Sequence, residues 1–311
     1  MKGLHLVTGG AGFIGRHLVA ELLADPDISV LVLDNYTASK RGFPTHPRLE
    51  VVEGDIRDWS LVADLMTRTN VVHHLAANSD VQVSWEDPDE STSVNVVGTS
   101  TIMEAAARSR SVWHVNFASS SSVYGETRGF RGIKTDSPCR PVSPYGAFKM
   151  CGEGLGWTWA PQGRFSLGIL RMFNVYGPGQ DPARGMVVPR FIQQSLRGEA
   201  MTIQGAGSQV RDFVHVTDVA RTFARSHGST QILNVGTGKP VTIAGLTQVI
   251  GSASGLPFQV KHIEGRSGDP ACVYADQPIH KEVIALGDGV KSTLDHYSNL
   301  ERVGNAEMPA V

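Results

Sequence analysis

Ten residues near the N-terminus limit the fold more than any other part of the chain. Leu6-Val7-Thr8-Gly9-Gly10-Ala11-Gly12-Phe13-Ile14-Gly15 joins a β-rich run to a helical pattern. Gly9, Gly12 and Gly15 give G-x-x-G-x-x-G. One glycine permits a tight turn, one lets a pyrophosphate approach the backbone, and one lets the helix pack on the strand. The helix opening at Phe13 and Ile14 presents free N–H groups and a partial positive charge to phosphate. Asp34 closes the next β-rich run, about 20 residues beyond the loop, where it is placed to accept from adenosine ribose hydroxyls. An acid there favours NAD over NADP, and Asn35 beside it is a further cofactor candidate.

The rest of the first half agrees with this loop. Leu4–Thr8, Ser29–Leu33, Leu49–Glu53, Val71–Leu75, Val112–Ala118 and Phe165–Arg171 read as strands. Several are apolar throughout, as when both faces of a parallel sheet are covered. Helical patterns lie between them at Phe13–Ala24, Ser60–Thr67, Asp89–Arg108 and Tyr145–Thr158. Such alternation with right-handed crossovers gives an α/β fold, a Rossmann-like doubly wound parallel sheet. After Asn174 the prolines Pro178, Pro182 and Pro189 break the chain up, and shorter helical pieces follow at Pro189–Arg197, Val216–Arg225 and Ile243–Ser252. Residues 1–173 are expected to form the NAD-binding domain. Residues 174–311 are expected to form mainly a smaller substrate-binding lobe, with segments returning to the first domain. Leu300–Val311 looks weakly structured.

Composition removes other classes. The 28 basic and 30 acidic residues nearly cancel, leaving a formal charge of −2 and no electrostatic case for nucleic acid or an acidic membrane. No apolar stretch approaches the roughly 20 residues of a membrane span, and the N-terminus does not read as a signal peptide. Cys139, Cys151 and Cys272 have neither disulfide-framework nor zinc spacing, which points to reduced thiols in the cytoplasm. No His/Asp/Glu set has metal-ligand spacing, so no metal is expected. His73 and His74 are read as packing or local hydrogen bonding, and Trp157 and Trp159 as core or interface.

The chemistry concentrates at one pair. Tyr145 and Lys149 form Y-x-x-x-K and share a helix face. A cationic lysine beside a phenol should lower its pKa and let Tyr145 act as an acid/base near neutral pH. Upstream, Ser119-Ser120-Ser121-Ser122 follows a strand and can bring a hydroxyl to the same place.

Together these features resemble the short-chain dehydrogenase/reductases, in particular the extended branch of nucleotide-sugar epimerases and dehydratases. Further matches are Gly54-Asp55-Ile56, His74-Leu75-Ala76-Ala77, Asn95-Val96-Val97-Gly98-Thr99, Ser143-Pro144-Tyr145-Gly146 and Arg171-Met172-Phe173-Asn174-Val175-Tyr176-Gly177-Pro178-Gly179. Arg211-Asp212-Phe213-Val214-His215, Asn234-Val235-Gly236-Thr237-Gly238 and Arg266-Ser267-Gly268-Asp269 continue the likeness over roughly residues 1–280. The resemblance implies that Asp55 and Ile56 flank adenine and that Leu75, Ala76 and Ala77 line the cofactor cleft. It implies that Asn95 supports the strand ends near the nicotinamide and that Lys149 also holds the nicotinamide ribose. Asn174, Arg211 and Arg266 would reach the diphosphate of a nucleoside-diphosphate sugar, a role that suits the fixed donors of arginine. A homodimer built on the helices Asp89–Arg108 and Tyr145–Thr158 is implied as well.

The serine run separates members of the family. Counting back from Val123-Tyr124-Gly125, Ser120 takes the catalytic Ser/Thr position, and Ser121 and Ser122 stand where dehydratases carry Asp-Glu. UDP-glucuronate decarboxylases carry a Glu two places after the Ser/Thr. A 4-epimerase needs neither acid. The pattern is therefore most similar to UDP-glucose 4-epimerases: transient oxidation at C4 of a UDP-sugar, with Ser120, Tyr145 and Lys149 in the reaction and Ser121 beside the substrate. A decarboxylase, dehydratase or reductase on the same scaffold is the alternative, and a non-catalytic NAD sensor a more distant one. Two positions depart from the galactose epimerases. Ser79 stands where a Lys is frequent, and Val273 where some members have Tyr or Cys, leaving room for an N-acetyl or carboxylate substituent.

Overall fold

The computed structural model describes residues 3–39, 41–126, 131–265 and 270–306. The chain runs β1 (Gly3–Thr8), α1 (Phe13–Leu23), β2 (Ile28–Asp34), β3 (Leu49–Glu53), α2 (Trp59–Met66), β4 (Val71–His74), α3 (Val81–Glu86), α4 (Pro88–Thr92), α5 (Thr99–Arg108) and β5 (His114–Ser120). It continues through α6 (Pro144–Gly163), β6 (Ser166–Met172), β7 (Asn174–Tyr176), α7 (Val187–Leu196), β8 (Met201–Gln204), β9 (Val210–His215), α8 (Val216–Arg225) and β10 (Gln231–Val235). The last elements are β11 (Pro240–Thr242), α9 (Ile243–Ser254), β12 (Val260–Ile263), β13 (Cys272–Val273) and α10 (Leu286–Ala306).

Two compact units result. The first comprises Met1–Glu126, Lys134–Met172 and Val219–Val235. Its seven strands are all parallel, in the order β10-β6-β5-β4-β1-β2-β3. Strand order reverses between β1 and β4, so the loops after these two strands open a crevice, where open α/β sheets bind ligands. The sheet is the doubly wound one expected. Its seventh strand, β10, is absent from the strand reading because Gln231 and Asn234 interrupt the apolar run. Leu6, Leu31, Leu33, Val72, Val115 and Ile169 are fully buried in its core. Burial of each is worth roughly 1.5–3 kcal/mol.

The second unit takes a short piece ending at Ile133, Phe173–Asp218, and the chain from Gly236 onward. β11, β9 and β13 form a small sheet with β7 on β9, and β12 pairs with β8. Phe191, Ile192, Phe213, Leu246, Ile250 and Leu294 fill its core. The weak structure expected over Leu300–Val311 is corrected as far as Ala306, where α10 ends; residues 307–311 lie outside the described residues. Val290 and Leu294 bury one face of that helix against the core, and packing of this kind carries a helix past weak local propensity.

Candidate active site

The glycine loop is shaped by sterics. Gly9 sits at φ +68°, and a Cβ on it would lie 2.7 Å from both N and Cα of Ala76. A Cβ on Gly15 would lie 2.4 Å from the Gly9 carbonyl oxygen. Both positions therefore demand glycine if α1 is to start against the turn and the turn is to lie against the segment after β4. Gly12 is the N-cap of α1 and provides no side-chain cap. The first-turn N–H groups at Phe13, Ile14 and Gly15 are thus left for an anion. Asp34, buried at the end of β2, accepts from the Ala11 N–H at 2.9 Å through one oxygen. Its other oxygen accepts from the Tyr36 N–H at 2.9 Å and the Ser39 hydroxyl at 3.0 Å. Asp34 therefore organises the glycine loop, a task invisible in the spacing, and keeps capacity for another donor among its roughly four acceptor sites. A capless helix start, a glycine cradle and a carboxylate at the strand end fit the pyrophosphate and a ribose of NAD.

The flanking candidates have defined surroundings. The Asp55 carboxylate accepts from Arg57 Nε at 2.9 Å and Nη2 at 2.7 Å, with Asn35 Nδ2 at 3.3 Å. Arg57 holds Asp55 at a pKa of about 2. Ile56 is buried, and its Cδ1 lies 2.4 Å from where a Cβ on Gly98 would stand. Leu75 and Ala76 donate N–H groups to the carbonyl and hydroxyl of Thr8 at 3.1 and 3.3 Å, and Ala77 follows half-buried. The helix expected over Asp89–Arg108 contains a π-helical turn at Ser93–Gly98 between α4 and α5. This turn holds Asn95, whose amide both accepts from the N–H of Asn78 and donates to its carbonyl, each at 2.9 Å. Asn95 thus clamps the chain beyond β4.

Ser120, Tyr145 and Lys149 come together in the first unit. β5 ends at Ser120, whose Oγ accepts the Ser122 N–H at 3.1 Å and starts a 3₁₀ turn over Ser121–Val123. The Ser143 hydroxyl caps α6 by accepting from the Gly146 N–H at 3.1 Å, and the Tyr145 N–H donates to Ser84 Oγ at 3.2 Å. Tyr145 and Lys149 are buried on one face of α6. The Lys149 ammonium lies 5.7 Å from the Tyr145 ring centroid and 5.2 Å from that of Phe117. The expected lowering of the phenol pKa is not what the protein alone produces. Burial pushes Tyr145 up to about 12, against which a polar contact with the Ser120 hydroxyl pulls down. Burial pushes Lys149 down to about 8. The ammonium stands over the ring, where desolvation of the phenolate outweighs its attraction.

Sequence reasoning missed the polar cluster next door. Glu153, one turn past Lys149, accepts from Arg171 Nε at 2.9 Å and Nη2 at 2.7 Å, and from the Ser119 hydroxyl at 2.5 Å. The two charged side chains are only 6% and 7% exposed. Arg171 Nη1 also donates to the Tyr124 hydroxyl at 2.9 Å, which donates to Asn234 Oδ1 at 2.6 Å. The i, i+4, i+8 spacing of Tyr145, Lys149 and Glu153 was the available signal.

The second unit holds a different set. A cavity of about 190 Å³ is lined by Asn174, Arg190, Gln204, Gln209, Arg211 and Phe213 among others. Asn174 Nδ2 donates to the Asp212 carbonyl at 3.2 Å, and Arg211 Nη1 donates to the carbonyls of Val210 and Pro270 at 2.9 and 2.7 Å. Buried Asp212 accepts from Thr237 N–H and hydroxyl, Gly238 N–H and Ala275 N–H, which fixes β9 and so the root of Arg211. Gln180 Oε1 and Gln209 Oε1, also on the cavity lining, are buried acceptors without a hydrogen-bond partner among the described residues. Neither glutamine was foreseen, since no local pattern marks them. Val273 is buried on β13, in register with Arg211 on β9. Arg266 lies outside the described residues.

The chain is similar to known proteins along most of its length. The UDP-glucose 4-epimerase of Mycolicibacterium smegmatis is 35% identical over 311 residues, covering 94% of this chain and 98% of its own. The crystal structure of Thermotoga maritima UDP-glucose 4-epimerase with UDP-glucose superposes with a TM-score of 0.88 at 30% identity, covering 96% and 99% of the two chains. The UDP-glucuronic acid 4-epimerase of Bacillus cereus, solved with UDP-glucuronic acid and NAD, gives a TM-score of 0.85 at 29% identity over 96% and 99%. A family model matches residues 5–236, which carry the glycine loop, Asp34, Ser120, Tyr145 and Lys149. The chain belongs to the NAD dependent epimerase/dehydratase family.

Proposed function

We propose that this chain catalyses the NAD-dependent 4-epimerisation of a UDP-sugar. The carrying observation is half-buried Ser120 grouped with buried Tyr145 and Lys149, beside a Ser121-Ser122 turn that contains no carboxylate. Bound NAD supplies transient hydride acceptance and return at the sugar carbon. Tyr145 takes the O4 proton and later gives it back, while the Ser120 hydroxyl orients O4. The Lys149 ammonium favours the phenolate by Coulomb attraction, so proton exchange depends on both residues. Gly9, Gly12, Gly15 and Asp34 hold the dinucleotide, with Asp55, Ile56, Leu75, Ala76 and Ala77 around it. Asn174 and Arg211 meet the diphosphate, a role that the family resemblance gives to Arg266 as well. Dehydration or decarboxylation would call on a further acid/base, and the nearby Glu153 is already engaged by Arg171 and Ser119.

The purified protein is incubated with UDP-glucose, UDP-N-acetylglucosamine or UDP-glucuronate without added NAD, and the products are resolved. The C4 epimer without net NADH is expected. A pentose or a 4-keto product would contradict the reading. Val273 stands where some family members carry Tyr or Cys, which favours room for an N-acetyl or carboxylate group, so turnover of a substituted sugar is part of the proposal, and strict preference for glucose would end it.

A homodimer is also part of it. Met150, Cys151, Gly154 and Trp157 form an exposed stripe on α6 without a charge, and Val97 is exposed on the π-helical turn. Light scattering should give twice 33.4 kDa, and a monomer mass at assay concentration would contradict it. A cytoplasmic setting is supported by Cys139, Cys151 and Cys272, none of which is in a disulfide.

A further inference from the structure

The ion pair behind the reaction corner poses a problem of charge. Glu153 and Lys149 are i, i+4 neighbours on one buried helix face. At that spacing a carboxylate and an ammonium attract each other directly. Low local polarity strengthens the attraction. Yet among the described residues Lys149 makes no ion pair, and Glu153 faces away to Arg171. The Arg171 fork occupies both carboxylate oxygens, and the Ser119 hydroxyl takes a further acceptor site.

We propose that Arg171 is a positioning residue that acts as a charge lock. By holding both oxygens of Glu153, it keeps that carboxylate from capturing the Lys149 ammonium, so that Lys149 stays available to Tyr145. The inference rests on the reading that Tyr145 and Lys149 carry the proton exchange. Register supports it: Arg171 on β6 lies opposite Ser119 on β5 and Asn234 on β10. The Arg171 backbone is thus anchored between two strands of the sheet, whereas Glu153 rides on α6. The remaining donor groups of the guanidinium reach the Tyr124 hydroxyl and the Thr135 carbonyl, both at the same end of the sheet.

The ionisable groups around Lys149 are few. Tyr145 and Glu153 share its helix, and His74 on β4 lies within electrostatic reach. Behind Glu153 stand Arg171, the Tyr124 hydroxyl and the Cys139 thiol. Burial alone holds the Lys149 pKa at about 8, with no contribution from Glu153. His74 is neutral at these pH values because burial pushes it to about 3. The alkaline limb of kcat therefore reports loss of the Lys149 proton.

The test uses the enzyme with its dinucleotide bound. Arg171→Met, Glu153→Gln/Arg171→Met and Lys149→Met are compared for NAD content, KM, and kcat from neutral to alkaline pH. In Arg171→Met the freed carboxylate should capture Lys149. The expected result is a kcat loss of about 10-fold or more, KM within about 3-fold, and an alkaline limb about one pH unit higher. The double variant removes both charges, a change that buried pairs tolerate. It should return the limb to the wild-type position and recover most of kcat. A double variant whose limb falls below wild type would overturn the lock, because Glu153 would then be supporting Lys149 directly. So would an Arg171→Met loss with an unmoved limb that the double variant does not rescue. If Arg171→Met fails to fold, the double variant decides alone: a wild-type limb supports the lock and a displaced limb overturns it. Full turnover in Lys149→Met would instead sink the reading of Lys149 itself, which separates the two failures.

Discussion

The two units of this chain handle polar groups in opposite ways. In the first, Tyr145, Lys149, Glu153 and Arg171 are all buried, and burial has moved the Tyr145 and Lys149 titrations far from their solution values. Helix α6 and strands β5 and β6 hold them, with the acid engaged by several donors. In the second, amide and guanidinium groups line a cavity, and two glutamine oxygens there are buried without partners among the described residues. A site that moves protons needs fixed, dry groups whose charge states respond to each other. A site that recognises a ligand leaves donors and acceptors for the ligand to complete. Reaction and recognition should therefore separate in kinetics.

The largest expected effect tests the first region. Tyr145→Phe keeps the ring and removes the proton carrier, so kcat should fall about 10³-fold with KM within about 3-fold. A comparable rise in KM would mean that the phenol mainly binds. The second region should show the reverse. Arg211→Met should raise the KM for the nucleotide sugar roughly 10- to 100-fold while kcat changes little, since a charge-assisted hydrogen bond is worth about 1.5–3 kcal/mol. If kcat collapsed instead, the division would be wrong. Asp34→Asn removes a charge at the dinucleotide loop without changing its shape. Co-purified NAD should drop about 10-fold, by the roughly 1.4 kcal/mol that a factor of ten represents. Unchanged occupancy would reduce Asp34 to a loop organiser.

The smallest effect concerns the sheet beneath both loops. His5 Nδ1 meets His73 Nε2 at 3.1 Å, and Asn116 joins His73 to His114 at 3.2 and 3.0 Å. His74 lies between the hydroxyls of Thr8 and Thr99 at 2.7 and 3.0 Å. Burial lowers His5 to about 4 and His74 to about 3, with His73 well below its ordinary value. These folded values lie below the unfolded value of 6.5, so protonation favours the unfolded chain. Their stability contribution is complete above about pH 6.5 and is lost as pH falls toward about 3, the folded value of His74. Melting temperature should decline over that window, and His74→Gln should flatten the decline. A slope unchanged in the variant would place the acid sensitivity elsewhere.

Legibility in the sequence follows locality. The glycine loop, Asp34 and the Tyr145/Lys149 pair are short-range patterns, and the structure shows each where spacing put it. The Glu153 cluster is not local: its partners Arg171 and Ser119 lie 18 and 34 residues away, and Tyr124 lies 47 from Arg171. Only the sheet register brings them together. The π-helical turn escaped because an extra residue in a helical turn leaves almost no trace in apolar periodicity. Gln180 and Gln209 escaped for a related reason, since a solitary amide becomes informative only when burial leaves its oxygen unpartnered. The pKa of Tyr145 was misjudged because spacing gives proximity to Lys149 but not depth of burial.

The central claim is that a hydride leaves C4 and returns to the same carbon while Tyr145 exchanges the proton. UDP-glucose carrying deuterium at C4 tests it directly, with the product read by mass spectrometry and NMR; if glucose is not turned over, the UDP-sugar accepted in the substrate comparison is labelled at C4 instead. The account predicts that the epimer forms with its deuterium retained at C4 and that Tyr145→Phe forms almost none. Deuterium lost to water, or an epimer formed at full rate by Tyr145→Phe, would contradict it.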